Sequence, residues 1–139
     1  MKNKKIALLV ITCESFFSEA TLILNKLNSF KIKKYFNCYL ATKNISSINT
    51  FFNDSNWNGI EIPSNINFWG EEMQYCLDFI QEEYIFLWLD DFYPHKYFNL
   101  KNLDNLLKQA LVYEPKIIRL NSIFNRRYAI KEMQKDIYF

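Results

Sequence analysis

Two continuously apolar segments of strand length constrain the fold of this chain more than any other feature. They are residues 5–12, apolar between Lys5 and Thr12, and residues 84–89. A strand with one face in water alternates apolar and polar residues, whereas a strand covered on both faces is apolar throughout. Strands of the second kind occur mainly in parallel sheets with helices on both faces. We therefore expect an α/β domain with three αβα layers and a mostly parallel sheet.

The segments around these strands complete the alternation of strands and helices. Apolar residues recur every three or four positions over 15–30, which predicts a helix with Phe16 and Phe17 on its core stripe. Ser15 or Ser18 is expected to cap its start. The other predicted elements are strands at 35–41, 59–62 and 116–120, a loop over 42–58 with a helical turn at 48–52, a helix at 70–81 and a helix from Asn99 or Asn102. This order predicts one domain over residues 1–139.

Composition excludes several classes of function. The 17 basic and 15 acidic side chains leave a formal net charge of +2, which does not indicate a protein that binds nucleic acid. The only two glycines, Gly59 and Gly70, cannot form a Gly-rich phosphate loop. The single histidine, His95, excludes a two-histidine zinc motif. No run of about 18 apolar residues occurs, so no transmembrane helix is expected.

Cysteine usage and the N-terminus bear on the cellular compartment. Cys13, Cys38 and Cys76 are widely spaced, which indicates reduced thiols rather than a disulfide framework and predicts a cytoplasmic protein. The lysines before the first apolar segment resemble the start of a signal peptide. However, Glu14 and two phenylalanines follow where a small-residue cleavage site would lie, so we interpret the segment as a strand.

Polar residues follow each predicted strand. Ligands of open parallel sheets bind outside the carboxyl ends of the strands, so these residues form the candidate site. They are Thr12, Cys13 and Glu14 after the first strand, Thr42, Lys43 and Asn44 after the second, Pro63, Ser64 and Asn65 after the third, and Asp90 and Asp91 after the fourth. Cys13 has the position of a nucleophile, but no histidine lies near it in sequence, so a buried structural thiol is favoured.

Asp90 and Asp91 are the sharpest of these features. Two adjacent carboxylates end an apolar strand, and strand alternation points them in different directions. Unpaired carboxylates beside an apolar core are unfavourable, and a divalent cation or hydrogen bonds to sugar hydroxyl groups would stabilise them. The alternative is that both carboxylates cap backbone amides in a turn before Pro94.

This order of elements, ending in Tyr84-Ile-Phe-Leu-Trp-Leu-Asp-Asp-Phe92, resembles the nucleotide-sugar-dependent glycosyltransferases of the GT-A fold, family-2-like, a Rossmann-like nucleotide-binding fold. Asp90-Asp91 resembles the DxD element of that fold, with Phe92 where a second, spaced Asp would be. The resemblance implies that Asp91 binds Mn²⁺ or Mg²⁺ and that Asp90 binds the donor sugar or ribose. It also implies donor-binding positions at Thr12, Cys13, Glu14, Thr42, Lys43 and Asn44.

Residues 67–73, Asn-Phe-Trp-Gly-Glu-Glu-Met, resemble the donor-side helix that leads into the motif strand of those enzymes. Trp69 either stacks on a base or sugar of the donor or anchors this helix. Its apolar neighbours on the predicted face are Met73, Cys76, Leu77 and Ile80. Glu71 and Glu72 occupy the first turn, where the helix dipole favours acidic side chains.

The resemblance implies a glycosyltransferase that moves a sugar from a nucleotide-sugar donor to a saccharide or lipid-linked saccharide acceptor. The implied context is bacterial surface-polysaccharide or lipooligosaccharide synthesis. A cation or a basic side chain would neutralise the diphosphate leaving group, and Lys43, Arg126 and Arg127 are candidate phosphate partners. A carboxylate base would activate the acceptor, but no residue is assigned this role. The acceptor half is expected to be short or missing, because 48 residues follow Asp91.

Alternative functions stay open. A non-catalytic domain of the same fold would bind a nucleotide sugar, or a partner protein, without turnover. A phospho-receiver-like domain is disfavoured, because that family needs an acidic pair after the first strand and here Cys13-Glu14 follows it. In the transferase interpretation the protein is cytoplasmic, and a peripheral association with the inner face of the membrane is left open. The oligomeric state is not indicated.

Overall fold

A computed structural model describes residues 6–48 and 56–90, together with residues 105, 107–109 and 112. The chain divides into two compact units, Met1–Tyr97 and Phe98–Phe139. All the described residues of the second unit are helical, in agreement with the helix predicted there. The predictions for Asp91, Arg126 and Arg127, and for a strand at 116–120, lie outside the described residues. The assignment of residues 1–139 to one domain stays a prediction.

The first unit alternates strands and helices, as predicted. Its described strands and α-helices are β1 (Ile6–Ile11), α1 (Phe17–Ser29), β2 (Asn37–Thr42), β3 (Asn58–Glu61), α2 (Trp69–Phe79) and β4 (Tyr84–Leu89). Short 3-10 helices span Glu14–Phe16, Ile32–Lys34 and Ile45–Ile48. The predicted turn at 48–52 is described only at Ile48, where the last of these 3-10 helices ends.

The four described strands form one parallel sheet in the order β3-β2-β1-β4. β1 lies between two neighbours, and Ile11 pairs with Ala41 of β2 and with Leu89 of β4. Since all four strands run in one direction, their carboxyl ends lie along one edge of the sheet. We call this edge the carboxyl edge; it comprises the ends of β1, β2, β3 and β4 and the residues that directly follow them.

The apolar segment of β1 forms the centre of the sheet. Leu8, Leu9 and Val10 have no solvent exposure, although successive side chains point to opposite faces. Both faces of β1 are therefore covered, which confirms the prediction for this strand. The same prediction is wrong for β4, where no residue is buried and Leu87 and Leu89 are exposed. In the part of the chain that the structure describes, β4 pairs with β1 alone, so it lacks the neighbour on each side that β1 has.

Helix α2 and Ile80, the residue that follows it, pack against one face of the sheet through two of the predicted core residues. Cys76 and Ile80 form a cluster with Ala7 and Leu9 of β1, Ala41 of β2 and Ile60 and Ile62 at the end of β3. Met73 packs against this cluster as predicted. Leu77 and Trp69 are exposed, so the predicted face is too wide. Trp69 is the first residue of α2, so no preceding turn of helix covers it.

Helix α1 buries the stripe of Ala20, Ile23, Leu24 and Leu27, in agreement with the predicted periodicity. Phe16, however, is 49% exposed, and neither Ser15 nor Ser18 caps the helix. The reason is that α1 begins at Phe17, after a 3-10 turn over Glu14–Phe16, so the N-cap position falls on Phe16. The Ser18 hydroxyl donates to the carboxylate of Glu19 at 2.7 Å.

A polar contact joins β2 to the loop that precedes β4. The Tyr39 hydroxyl donates to the carboxylate of Glu82, with distances of 3.1 and 3.0 Å to its two oxygens. The side-chain amide of Asn37 donates to the same carboxylate. Burial, and then the hydrogen bond and charge of Glu82, raise the pKa of Tyr39 to about 12. The neutral phenol is thus the form that the fold stabilises.

Replacement of Tyr39 by phenylalanine is expected to destabilise the fold by about 1–3 kcal/mol, the range for loss of a hydrogen bond to a charged, half-buried group. Urea unfolding monitored by circular dichroism measures this free energy. Tyr75→Phe is the matched control, because Tyr75 packs against the same core and its hydroxyl has no hydrogen-bond partner among the described residues. Equal losses for the two variants would contradict the role given to the Tyr39–Glu82 contact.

The raised pKa of Tyr39 also predicts a pH dependence. A group whose pKa is raised by folding stabilises the folded state fully at a pH below its unfolded pKa, which is about 10 for tyrosine. This stabilisation decreases as the pH rises from the unfolded pKa through the folded pKa. The stability difference between the wild type and Tyr39→Phe is therefore expected to be constant from pH 7 to about 9.5, and to shrink as the pH rises through the folded pKa of about 12. Unfolding free energies measured across this pH series test it. A difference that grows above pH 10 would contradict it.

Candidate functional site

The candidate site is the carboxyl edge, where backbone pairing continues past the ends of the strands. The Thr12 N–H donates to the carbonyl of Ala41 at 3.0 Å, and the Ile62 N–H donates to the carbonyl of Thr42 at 2.9 Å. Ile11 pairs with both Ala41 and Leu89, so Thr12, Thr42 and Asp90 occupy the next position on three adjacent strands. The structure thus places the predicted residues after β1, β2 and β4 at one edge.

Glu14 and Asn44 join the segments that follow β1 and β2. The side-chain amide of Asn44 donates to Glu14 Oε1 at 2.8 Å, across 30 positions of sequence. Asn44 Oδ1 in turn accepts hydrogen bonds from the Ser46 hydroxyl at 2.6 Å and the Ser47 N–H at 3.3 Å. These bonds fix the orientation of the Asn44 amide. Two residues that the sequence predicts for the site are therefore in direct contact.

Lys43 forms an ion pair with Glu72, which is not one of the predicted site residues. Its ammonium lies 3.1 Å from Glu72 Oε1, and the two side chains are 37% and 18% exposed. Glu72 belongs to the first turn of α2, where an acidic side chain also complements the helix dipole. In the sequence, the helix dipole was enough to explain an acidic residue at position 72. No sequence pattern therefore indicated the tertiary contact between Glu72 and Lys43. The ion pair joins the segment after β2 to the start of α2.

The threonines of the edge are buried. Thr42 is 1% exposed, and its hydroxyl has no hydrogen-bond partner among the described residues. Thr12 is buried as well, and its hydroxyl donates to the carbonyl of Cys13 over a long 3.5 Å. An unpaired buried hydroxyl costs about 1–3 kcal/mol. Thr42 Oγ1 is therefore a polar atom at the carboxyl edge with unused capacity for a hydrogen bond.

The other predicted site residues are placed as follows. Cys13 is exposed, so the prediction of a buried structural thiol is wrong; the 3-10 turn that starts at Glu14 leaves Cys13 outside the sheet. Asp90 is half-buried in a turn directly after β4, and Trp69 is 56% exposed. Within the described segments, no hydrogen bond or ion pair joins Asp90 or Trp69 to the other predicted site residues. The predicted ligand Asp91 lies outside those segments.

The predicted Mn²⁺ or Mg²⁺ site is described only in part. Among the residues that the structure describes, no three His, Cys, Asp or Glu side chains form a group that could hold a metal ion. Asp90 is a hard oxygen donor of the kind that these cations prefer. Its partner Asp91 is not described, so the metal site stays a prediction.

Cys76 lies on α2, one helical turn after Glu72 of the Lys43–Glu72 ion pair. Burial, and then the negative charge of Glu72 one helical turn away, raise the pKa of Cys76 to about 11. A thiol with that pKa is protonated and poorly nucleophilic at neutral pH. Cys38 is also buried, which leaves Cys13 as the one exposed cysteine of the three in the chain.

At pH 8, iodoacetamide is therefore expected to alkylate Cys13 alone in the folded protein, and all three cysteines in urea. Intact-mass and peptide mass spectrometry after timed labelling measure the number and position of the adducts. Cys13→Ser is the control and is expected to abolish labelling of the folded chain. Rapid labelling of Cys76 without unfolding would contradict the packing of α2 on the sheet.

Within the described residues, the structure contains no helix with the length and apolar character needed to cross a membrane. Comparisons of the chain with protein-family models, with curated proteins and with solved structures found no match. The geometry and chemistry of the carboxyl edge are therefore the basis for a functional proposal.

Proposed function

We propose that this chain binds a nucleotide sugar at the carboxyl edge and acts as a glycosyltransferase of the GT-A type. The observation that carries the proposal is the parallel strand order β3-β2-β1-β4. In open parallel sheets, ligands bind outside the carboxyl ends at the point where the strand order reverses. Here that point lies between β1 and β4, because the chain proceeds from β1 to β2 and β3 on one side and places β4 on the other. Thr12 and Asp90 flank it.

The finer architecture proposed is a three-layer, Rossmann-like domain. The order β3-β2-β1-β4 equals the first four strands of a doubly wound sheet. Ala7 and Leu9 face the cluster that includes α2, while Leu8 and Val10 on the other face of β1 are equally buried. The buried stripe of α1 is not part of the α2 cluster. These observations support one helix layer on each face of the sheet.

The polar groups of the edge suit the parts of a nucleotide sugar. Hydrogen-bonding groups of Thr12, Cys13, Glu14, Thr42 and Asn44 would contact the nucleoside, and Lys43 would contact the diphosphate. The carboxylate of Asp90 would accept hydrogen bonds from ribose or sugar hydroxyl groups, and the exposed ring of Trp69 would stack on the donor. Bound Mn²⁺ or Mg²⁺, with Asp91 as ligand, would supply positive charge for the departing diphosphate.

The acceptor and the cellular context follow from the resemblance described above. The proposed acceptor is a saccharide or lipid-linked saccharide of bacterial surface-polysaccharide or lipooligosaccharide synthesis. The proposed location is the cytoplasm, with peripheral association at the inner face of the membrane. A non-catalytic nucleotide-sugar-binding domain would use the same edge, and it differs from the transferase only in the absence of turnover.

Thermal unfolding with UDP-, GDP- and CMP-linked sugars, each with and without Mn²⁺, tests the proposal. One nucleotide class is expected to raise the melting temperature, because a ligand at 100 times its dissociation constant stabilises the folded state by about 2.7 kcal/mol. The same ligand is expected to protect Cys13 from iodoacetamide. Asp90→Asn and Asp91→Asn are expected to lose both effects. Asp78→Asn is the matched control, since Asp78 lies near the end of α2, away from the carboxyl edge.

The outcomes separate the two functions. Release of nucleoside diphosphate and transfer of the sugar to an acceptor support the transferase. Binding that needs Asp90 but gives no hydrolysis or transfer supports the non-catalytic domain. If no nucleotide sugar raises the melting temperature or protects Cys13, both interpretations are wrong.

A further inference from the structure

Within the described part of the first unit, the carboxyl edge carries few basic side chains. In the described part of the first unit, Lys43 is the only lysine or arginine at this edge. The other described basic residues of that unit are Lys26, Lys31, Lys33 and Lys34, which lie between the last turn of α1 and the start of β2. These residues are at the opposite edge of the sheet, where the strands begin. Among the described side chains of the first unit, an anionic ligand at the carboxyl edge therefore depends on Lys43 for positive charge.

The charge of Lys43 is already neutralised by Glu72, whose Oε1 lies 3.1 Å from the ammonium. The backbone N–H of Glu72 donates to the carbonyl of Phe68 at 3.0 Å, so α2 anchors the residue that presents this carboxylate. The Glu72 side chain is also the less exposed partner, at 18%. A phosphate that approaches Lys43 must displace this carboxylate or lie beside it, and like charges at such distances repel.

We infer that Glu72 is a specificity-determining residue of the carboxyl edge, which competes with phosphate groups for Lys43. The inference rests on the proposed function and extends it to the choice of ligand. Glu72 weakens the attraction between Lys43 and phosphate. A ligand that offers only phosphate groups is therefore expected to bind weakly at this edge. A ligand must also offer groups for the hydrogen-bonding side chains beside Lys43, as a nucleotide sugar does and inorganic pyrophosphate does not.

The neighbouring residue Glu71 provides a matched control. It is in the same first turn of α2 and carries the same charge, but it is exposed and forms no ion pair among the described residues. Glu71→Gln and Glu72→Gln change the net charge of the protein equally. A difference between the two variants therefore reports the contact with Lys43 rather than the general field of the protein.

Isothermal titration calorimetry with inorganic pyrophosphate tests the inference, in parallel with the nucleoside diphosphate of whichever nucleotide sugar raises the melting temperature. Glu72→Gln is expected to bind pyrophosphate about tenfold more tightly than the wild type, a change of about 1.4 kcal/mol. The gain is expected to be smaller for the nucleoside diphosphate, because its nucleoside supplies part of the binding without Lys43. Glu71→Gln is expected to change affinity by less than about threefold. Glu72→Gln in a Lys43→Gln background is expected to give no gain.

Several outcomes would overturn the inference. One is an equal gain in affinity in Glu71→Gln and Glu72→Gln. Another is unchanged or weaker binding by Glu72→Gln, and a third is a gain in affinity that persists without Lys43.

If Glu72→Gln does not fold, Glu72→Asp draws the carboxylate back from Lys43 and is expected to give a smaller gain in affinity. Unaltered affinity in that variant would then overturn the inference. If no variant binds either probe, although labelling of Cys13 alone shows that the fold is intact, both the proposed function and the inference about Glu72 are wrong. Equal binding by wild type and Glu72→Gln overturns this inference alone.

Discussion

Backbone hydrogen bonds hold β1 between two parallel strands, β2 and β4, and this arrangement determines both the core of the first unit and the position of the candidate site. With both faces of β1 covered, Leu8, Leu9 and Val10 exclude water from the centre of the sheet. Polar side chains are costly in such a strand unless they are paired, so they are expected where it ends. Because the neighbouring strands run in the same direction, their polar residues meet at the same edge. The candidate site is thus a consequence of how the core is built.

The polar side chains at this edge differ in whether they have a hydrogen-bond or ion-pair partner within the described part of the protein. Glu14 and Asn44 bond to each other, and Lys43 and Glu72 form an ion pair. The buried hydroxyl of Thr42 has no partner among the described residues. A ligand would have to open the edge to reach the buried hydroxyl of Thr42, and it would have to exchange existing contacts at Asn44 and Lys43. This balance favours a ligand that offers several hydrogen-bonding groups over one that offers charge alone.

The sequence predicted the order of strands and helices because that order depends on local periodicity and on the continuous burial of β1. It also predicted that residues after β1 and β2 would lie close together, since parallel strands align their carboxyl ends. It did not predict the exposure of Phe16 and Cys13, because a 3-10 turn over Glu14–Phe16 precedes α1 and changes how the chain leaves β1. For Trp69 the sequence left stacking on a donor and anchoring of the helix open, and the ring is exposed at the first residue of α2. The contact between Lys43 and Glu72 joins residues 29 positions apart and depends on tertiary packing, which periodicity does not encode.

A crystal structure of the chain with a bound nucleoside diphosphate and Mn²⁺ would show whether the carboxyl edge receives a nucleotide. We expect the diphosphate between the ends of β1 and β4, the nucleoside beside Glu14 and Asn44, and the Asp90 carboxylate directed at the ligand. A nucleotide bound away from this edge would contradict this expectation. So would an Asp90 carboxylate that caps backbone amides of its own turn while the ligand is present.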